Sequence, residues 1–292
     1  MESGRALLTA LGAEHAEWKP LLALIEEALQ EVENPAWADA VPTSEASAVG
    51  PEPLLSGAAI HVAPRLVGRW VRRVLVTAAA GEPGEPFVDA VTSGRLEPLA
   101  LLHAAVSSDI GRLDDLARMV GDERGVLRVL APMLAMPLLH ACRRAWVNHV
   151  PATWPHGHCP VCGGPPTLAE LRGLDGSWHL RCRCCGGDWE TEWLRCPFCG
   201  ERDHRVLGSL VSPRTLERQK VEVCAGCRRY LKTITTFAPM RPEHVMLHDL
   251  ATLVLDVAAL EHGYKPPGGR APLTVTILPD PSRLRALLGL KL

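Results

Sequence analysis

Nine of the ten cysteines in this 292-residue chain fall between Cys159 and Cys227, and eight of the nine form Cys-x-x-Cys pairs. The pairs are Cys159/Cys162, Cys182/Cys185, Cys196/Cys199 and Cys224/Cys227. In an exported chain such density would read as a disulfide framework. Here the N-terminus offers Arg5 and then only a short, weakly apolar stretch before Glu14, which is marginal for a secretory signal. Reduced thiolates holding metal, in a cytoplasmic protein, are therefore the expectation.

Two residues between paired cysteines let both sulfurs reach one ion at about 2.3 Å. In Cys159-Pro-Val-Cys-Gly, Cys182-Arg-Cys-Cys-Gly and Cys196-Pro-Phe-Cys-Gly a glycine follows the pair and permits the tight turn behind it. Four pairs allow three pairings, and the intervening sequence decides among them. Thr167 to Arg172, a turn at Gly173 to Gly176 marked by Asp175-Gly176, and Ser177 to Arg181 read as a hairpin joining the first two pairs. Val206 to Val211, the break Ser212-Pro213-Arg214, and Gln219 to Val223 read likewise between the last two. One metal is thus expected at Cys159, Cys162, Cys182 and Cys185, and the other at Cys196, Cys199, Cys224 and Cys227. Third strands are expected at Asp188 to Leu194 and Tyr230 to Phe237. Four thiolates in a tetrahedron suit both iron and zinc. A ribbon of roughly 30 to 40 residues cannot bury enough surface to fold alone, whereas metal ligation contributes about 10 to 16 kcal/mol.

The expected class is α+β: a helical N-terminal domain, two small rubredoxin- or zinc-ribbon-like four-cysteine modules, and a C-terminal helix. The boundaries read as 1–150 for the helical domain, 151–195 and 196–240 for the modules, 241–265 for a helix packing on the domains, and 266–292 for a tail without an assigned role. Helices are expected over 20–33, 64–80, 95–118 and 122–150, the last interrupted at Pro132 and Pro137. No β pattern competes before residue 150. Gly81-Glu-Pro-Gly-Glu-Pro86 and the stretch from Asn34 to Pro53 read as breaks. Met246 to His262 reads as a helix with Leu247, Leu250, Val254, Val257 and Ala258 on its packing side. The tail contains the β-like run Thr274 to Ile277.

The apolar stretches Val126 to Cys142 and Leu250 to Leu260 carry Arg128 with two prolines, and Asp256, so membrane insertion is not expected. Thirty-one basic against 33 acidic side chains leave a net charge of -2. Residues 159–240 hold 12 Lys or Arg and 9 Asp or Glu. Two dianionic four-thiolate sites bring that module from +3 to about -1, which makes nucleic acid an unlikely partner. A zinc-ribbon nucleic-acid or transcription module is the alternative reading. No phosphate loop, nucleophile elbow or kinase signature is present, so an enzyme is not expected. His156, His158, His244 and His248 could bind metal in principle, but eight cysteines already satisfy two ions. Cys184 is left as a spare thiol and Cys142 as a buried hydrophobe. Trp178, Trp189, Trp193 and Tyr230 either pack over the knuckles or form a recognition surface.

Several of these segments together resemble the FdhE-type formate dehydrogenase accessory proteins. They are Cys159-Pro-Val-Cys-Gly, Leu180-Arg-Cys with Cys185 and Trp189, Cys196-Pro-Phe-Cys-Gly, Cys224-Ala-Gly-Cys-Arg-Arg-Tyr-Leu-Lys232, and Asp249 to Asp256. The likeness runs from about Trp154 to Tyr264. It implies a cytoplasmic factor that is not itself a formate oxidiser and contacts the formate dehydrogenase catalytic subunit before export. It also implies metal ligation at the eight paired cysteines, with iron favoured as the occupant and zinc acceptable. No role transfers to Cys142 or Cys184, and oligomeric state is not legible.

Overall fold

The structure is a computed structural model that describes residues 2–42, 51–79, 85–151, 154–174, 176–211, 218–268 and 271–280. It divides into two units, one comprising 1–47, 54–148 and 272–292, the other 48–53 and 149–271.

The first unit is built from α1 (Glu2–Glu14), α2 (Lys19–Val32), β1 (Ala59–Val62), α3 (Pro64–Ala79), α4 (Glu85–Thr92), α5 (Pro98–Ser107), α6 (Ile110–Met119) and α7 (Val126–Trp146). The expected 95–118 helix is two helices. Ser108 ends α5 in the left-handed region at φ 54°, and the Asp109 carboxylate then caps α6 by accepting from the Arg112 amide at 2.9 Å. The expected interruption of the last helix does not occur, and α7 runs unbroken through Pro132 and Pro137. Tertiary packing holds the helix together across the prolines: most of α7 lies in the core, and the Trp70 indole donates to the Leu134 carbonyl at 3.0 Å. By length and composition this helix could cross a bilayer, but 72% of the relevant window is buried within the protein.

A strand does occur before residue 150. β1 pairs in parallel with Thr276–Pro279, a strand that overlaps the expected run Thr274 to Ile277 only at Thr276 and Ile277. Ile60 and Ile277 face each other in that register and both are buried. The two short strands are far apart in sequence, so no local pattern announces β1. Residues 281–292 of the tail lie outside the described residues.

The second unit holds a six-stranded sheet of β2 (Pro166–Arg172), β3 (Ser177–Cys182), β4 (Asp188–Glu190), β5 (Leu207–Leu210), β6 (Gln219–Cys224) and β7 (Arg229–Thr236), in the order β4-β3-β2-β7-β6-β5. Each module is an antiparallel triplet, and both hairpins fall where the turn chemistry places them. Asp175 and residues 212–217 of those turns lie outside the described residues. The modules are not separate ribbons. β2 and β7 pair in parallel, from Leu168 opposite Lys232 to Arg172 opposite Thr236, and fuse them into one sheet.

The C-terminal helix is two helices, α8 (Val245–Ala251) and α9 (Leu253–Glu261), separated by Thr252 at φ -107° and ψ 22°. This break resets the helical phase. Leu255 and Ala259 pack on Val221, Val223 and Tyr230 of the second module, while Val254 and Val257, expected on the packing side, are exposed.

Candidate metal centre

Each cysteine pair sits in a backbone knuckle of the same construction. The residue four positions after the first cysteine donates its amide to that cysteine's carbonyl: Gly163 to Cys159 at 2.9 Å, Gly186 to Cys182 at 3.1 Å, Gly200 to Cys196 at 2.9 Å and Arg228 to Cys224 at 2.8 Å. All four donors are left-handed, with φ of 71°, 64°, 78° and 58°. Glycine takes this conformation freely, whereas arginine does so at a cost of about 1–2 kcal/mol. Arg228 is compensated locally. Its guanidinium lies over the Tyr264 ring at 4.5 Å and donates to the carbonyls of His262 and Gly263 at 3.1 and 3.2 Å.

The knuckles converge as the hairpins require. Cys159, Cys162, Cys182 and Cys185 form one group of sulfurs and Cys196, Cys199, Cys224 and Cys227 another, every sulfur within 4.8 Å of the others in its group. The close approaches are 3.6 Å for Cys159–Cys185 and Cys162–Cys185, and 3.5 Å for Cys162–Cys182. In the second group they are 3.7 Å for Cys196–Cys227 and Cys199–Cys224. A disulfide needs about 2.05 Å. A tetrahedron with bonds of about 2.3 Å has edges of about 3.8 Å, so the donor set fits a tetrahedral ion. Either group could hold one metal ion.

The groups differ in exposure. All four sulfur residues of the first are buried, whereas in the second Cys199 is exposed and Cys227 half-buried. The cause is readable in the chain. Both knuckles of the first module end Cys-Gly-Gly, and the second glycine of each lies against a sulfur of the opposite knuckle. A Cβ on Gly164 would stand 2.8 Å from Cys182 Sγ, and one on Gly187 would stand 2.9 Å from Cys159 Sγ. The same positions in the second module are Glu201 and Arg229, so the second module lacks this glycine contact.

Without an ion, each group cannot carry four negative charges. Burial pushes the Cys182 and Cys196 thiols up, while thiols donating from Cys159, Cys182, Cys184 and Cys185 pull Cys162 down. A divalent cation replaces this sharing of protons by ionising every sulfur.

Behind the groups, the sheet carries buried ions. The Lys232 ammonium meets Asp249 Oδ1 and Asp256 Oδ2 at 2.6 Å each, and Tyr230 donates to Asp256 Oδ1 at 2.6 Å, fixing α8 and α9 to β7. Glu170, fully buried, accepts from Arg181 at 3.0 Å, from Arg172, and from the Met240 amide at 2.6 Å. These anchors were not legible as a pattern. The four histidines stay outside both sulfur groups: His158 contacts the Pro51 carbonyl at 3.0 Å and stacks on His156, while burial lowers the pKa of His244 and His248. Trp178 and Trp189 are buried in packing, whereas Trp193 is 48% exposed.

Fold and site together define a helical protein bearing a double four-cysteine ribbon of the rubredoxin or zinc-ribbon kind. No protein-family model matches the chain. Proteins named FdhE homolog do match. The one from Stutzerimonas stutzeri (strain A1501) is 34% identical over 110 residues, covering 36% of this chain and 35% of the relative. The one from Aquifex aeolicus (strain VF5) is 29% identical over 117 residues, covering 38% and 40%. These matches bear out the resemblance to the FdhE family. The chain spans about 35–40% of the length of these relatives in the matched stretch. The crystal structure of the FdhE protein from Pseudomonas aeruginosa aligns with a TM-score of 0.49 at 21% identity, over 86% of this chain and 94% of that one.

Proposed function

We propose that the chain is a cytoplasmic accessory factor of formate dehydrogenase, acting without turnover by binding the catalytic subunit before export. The observation that carries this reading is the fused pair of sulfur tetrads, in a chain whose curated relatives are named FdhE homolog. The ligands are Cys159, Cys162, Cys182 and Cys185 for one ion, and Cys196, Cys199, Cys224 and Cys227 for the other. The resemblance to the FdhE family favours iron as the occupant, and zinc is chemically acceptable. Four thiolates without an open position supply structural support or one-electron transfer, not hydrolysis. What the protein's own residues do is hold eight sulfurs in two tetrahedra and exclude water from the first.

The test is capture of a formate dehydrogenase catalytic subunit by the metal-loaded full chain, set beside a salt-dependent titration with DNA and RNA. Capture of the subunit without steeply salt-dependent nucleic-acid binding supports the accessory role. The reverse result supports the alternative, a zinc-ribbon nucleic-acid module. Metal analysis with visible absorption on anaerobically purified protein separates iron from zinc.

A further inference from the structure

The first sulfur group has a fifth sulfur beside it. Cys184 lies inside the knuckle that carries Cys182 and Cys185, and its amide donates to Cys182 Sγ at 3.3 Å. Cys182 Sγ in turn lies 3.5 Å from Cys162 Sγ of the opposite knuckle. The absent side chain of Gly164 leaves the space these sulfurs share: the point where a Cβ would stand is 2.8 Å from Cys182 Sγ and 2.9 Å from Cys184 Sγ. Exposure separates Cys184 from its neighbours. Cys159, Cys162, Cys182 and Cys185 are each 0% exposed, whereas Cys184 is half-buried. An oxidant arriving from solvent therefore meets Cys184 first.

We propose that Cys184 is an oxidation site built against the first sulfur group, which closes a disulfide with Cys162 when hydrogen peroxide is the oxidant. Peroxide transfers one oxygen to the Cys184 sulfur, giving a sulfenic acid and one water. The Cys162 sulfur then attacks the Cys184 sulfur. An S–S bond forms, the S–O bond breaks, and the hydroxyl leaves as a second water with a proton from Cys162 or solvent. The two sulfurs lose two electrons and peroxide gains them. Cys162 is the partner because it comes from the opposite knuckle. Cys185 is adjacent in sequence and Cys182 only two residues away, which is poor geometry for an unstrained disulfide. The oxidised group retains three of its four donors and holds an ion less well. The inference rests on the reading of the first group as a metal centre, and thiol reductants restore the starting state.

The experiment uses the zinc-loaded full chain and its Cys184→Ala variant, each checked beforehand for zinc content and circular dichroism. Both are treated with hydrogen peroxide while released zinc is followed with a chromogenic chelator, and peptides are mapped under non-reducing conditions. The second group, with exposed Cys199, gives a release phase common to both proteins. The expected result is a Cys162–Cys184 linked peptide in the parent, and loss in the variant of the first group's peroxide-driven release phase. Equal release phases, or no linkage containing Cys184, would overturn the proposal. If the variant fails to fold, the parent's peptide map alone decides. Absence of bound zinc in the parent counts against the metal reading, and the map still decides the role of Cys184.

Discussion

Gly187 and Cys159 are packed so closely that a Cβ on the glycine would stand 2.9 Å from the sulfur. Gly187→Ala should therefore open the buried first group, costing about 1–3 kcal/mol by overpacking and lowering metal content toward one ion per chain. Gly200→Ala is the contrast. Its Cβ would meet only the Arg195 guanidinium at 3.6 Å, leaving the left-handed backbone at φ 78° as the penalty, about 1–2 kcal/mol. Metal analysis and denaturant midpoints on both variants check the pair. Equal metal loss would refute the packing account.

The parallel joint between β2 and β7 makes the modules interdependent. Cys159→Ser should remove about one ion, withdrawing much of the ~10–16 kcal/mol that ligation contributes. The damage should then cross into the second module through the Leu168 to Arg172 register with Lys232 to Thr236. Hydrogen exchange should accelerate at β7 amides, while α7 in the other unit keeps its protection. Acceleration confined to residues 154–190 would show two independent ribbons.

What was legible in the chain was local. Cysteine spacing, the glycine behind three of the knuckles and the hairpin turns specify the two sulfur groups, because each signal spans few residues. The β2–β7 pairing spans more than sixty positions and has no turn to announce it. In addition, β2 buries Thr167 and Glu170, so its central position is disguised by polar residues. The phase of α9 was lost for a related reason: Thr252 looks helical in composition but breaks the helix in context. Gly164 and Gly187 were visible as the repeated Cys-Gly-Gly, and their role emerged only when the opposite sulfurs were in place.

Lys232, 2% exposed, holds Asp249 and Asp256 to the sheet. Lys232→Met would leave two carboxylates without their cation, and the expected loss is about 3–5 kcal/mol. Tyr230→Phe removes one hydrogen bond to a charged acceptor and should cost about 1.5–3 kcal/mol. Urea unfolding of both variants distinguishes the cases. The same loss in each would contradict an ammonium-centred anchor.

Asp188 carries the pH dependence that the sheet should show. Burial opposes its ionisation, but the His179 hydrogen bond at 2.9 Å, the Arg181 charge and the Arg172 hydrogen bond at 2.7 Å outweigh it, bringing the pKa from 3.8 to about 2. A carboxyl with a depressed folded-state pKa stabilises the fold above its unfolded value and loses that contribution as pH falls toward the folded one. The advantage of the parent over Asp188→Asn should therefore be full at pH 5, shrink below about 4 and vanish near 2. Acid also protonates the eight thiolates, but that loss is common to both proteins and cancels in their difference. Denaturant midpoints measured in parallel across this range test the assignment. A gap that stays constant from pH 5 to about 2.5 would mean that Asp188 acts through packing and not through its charge.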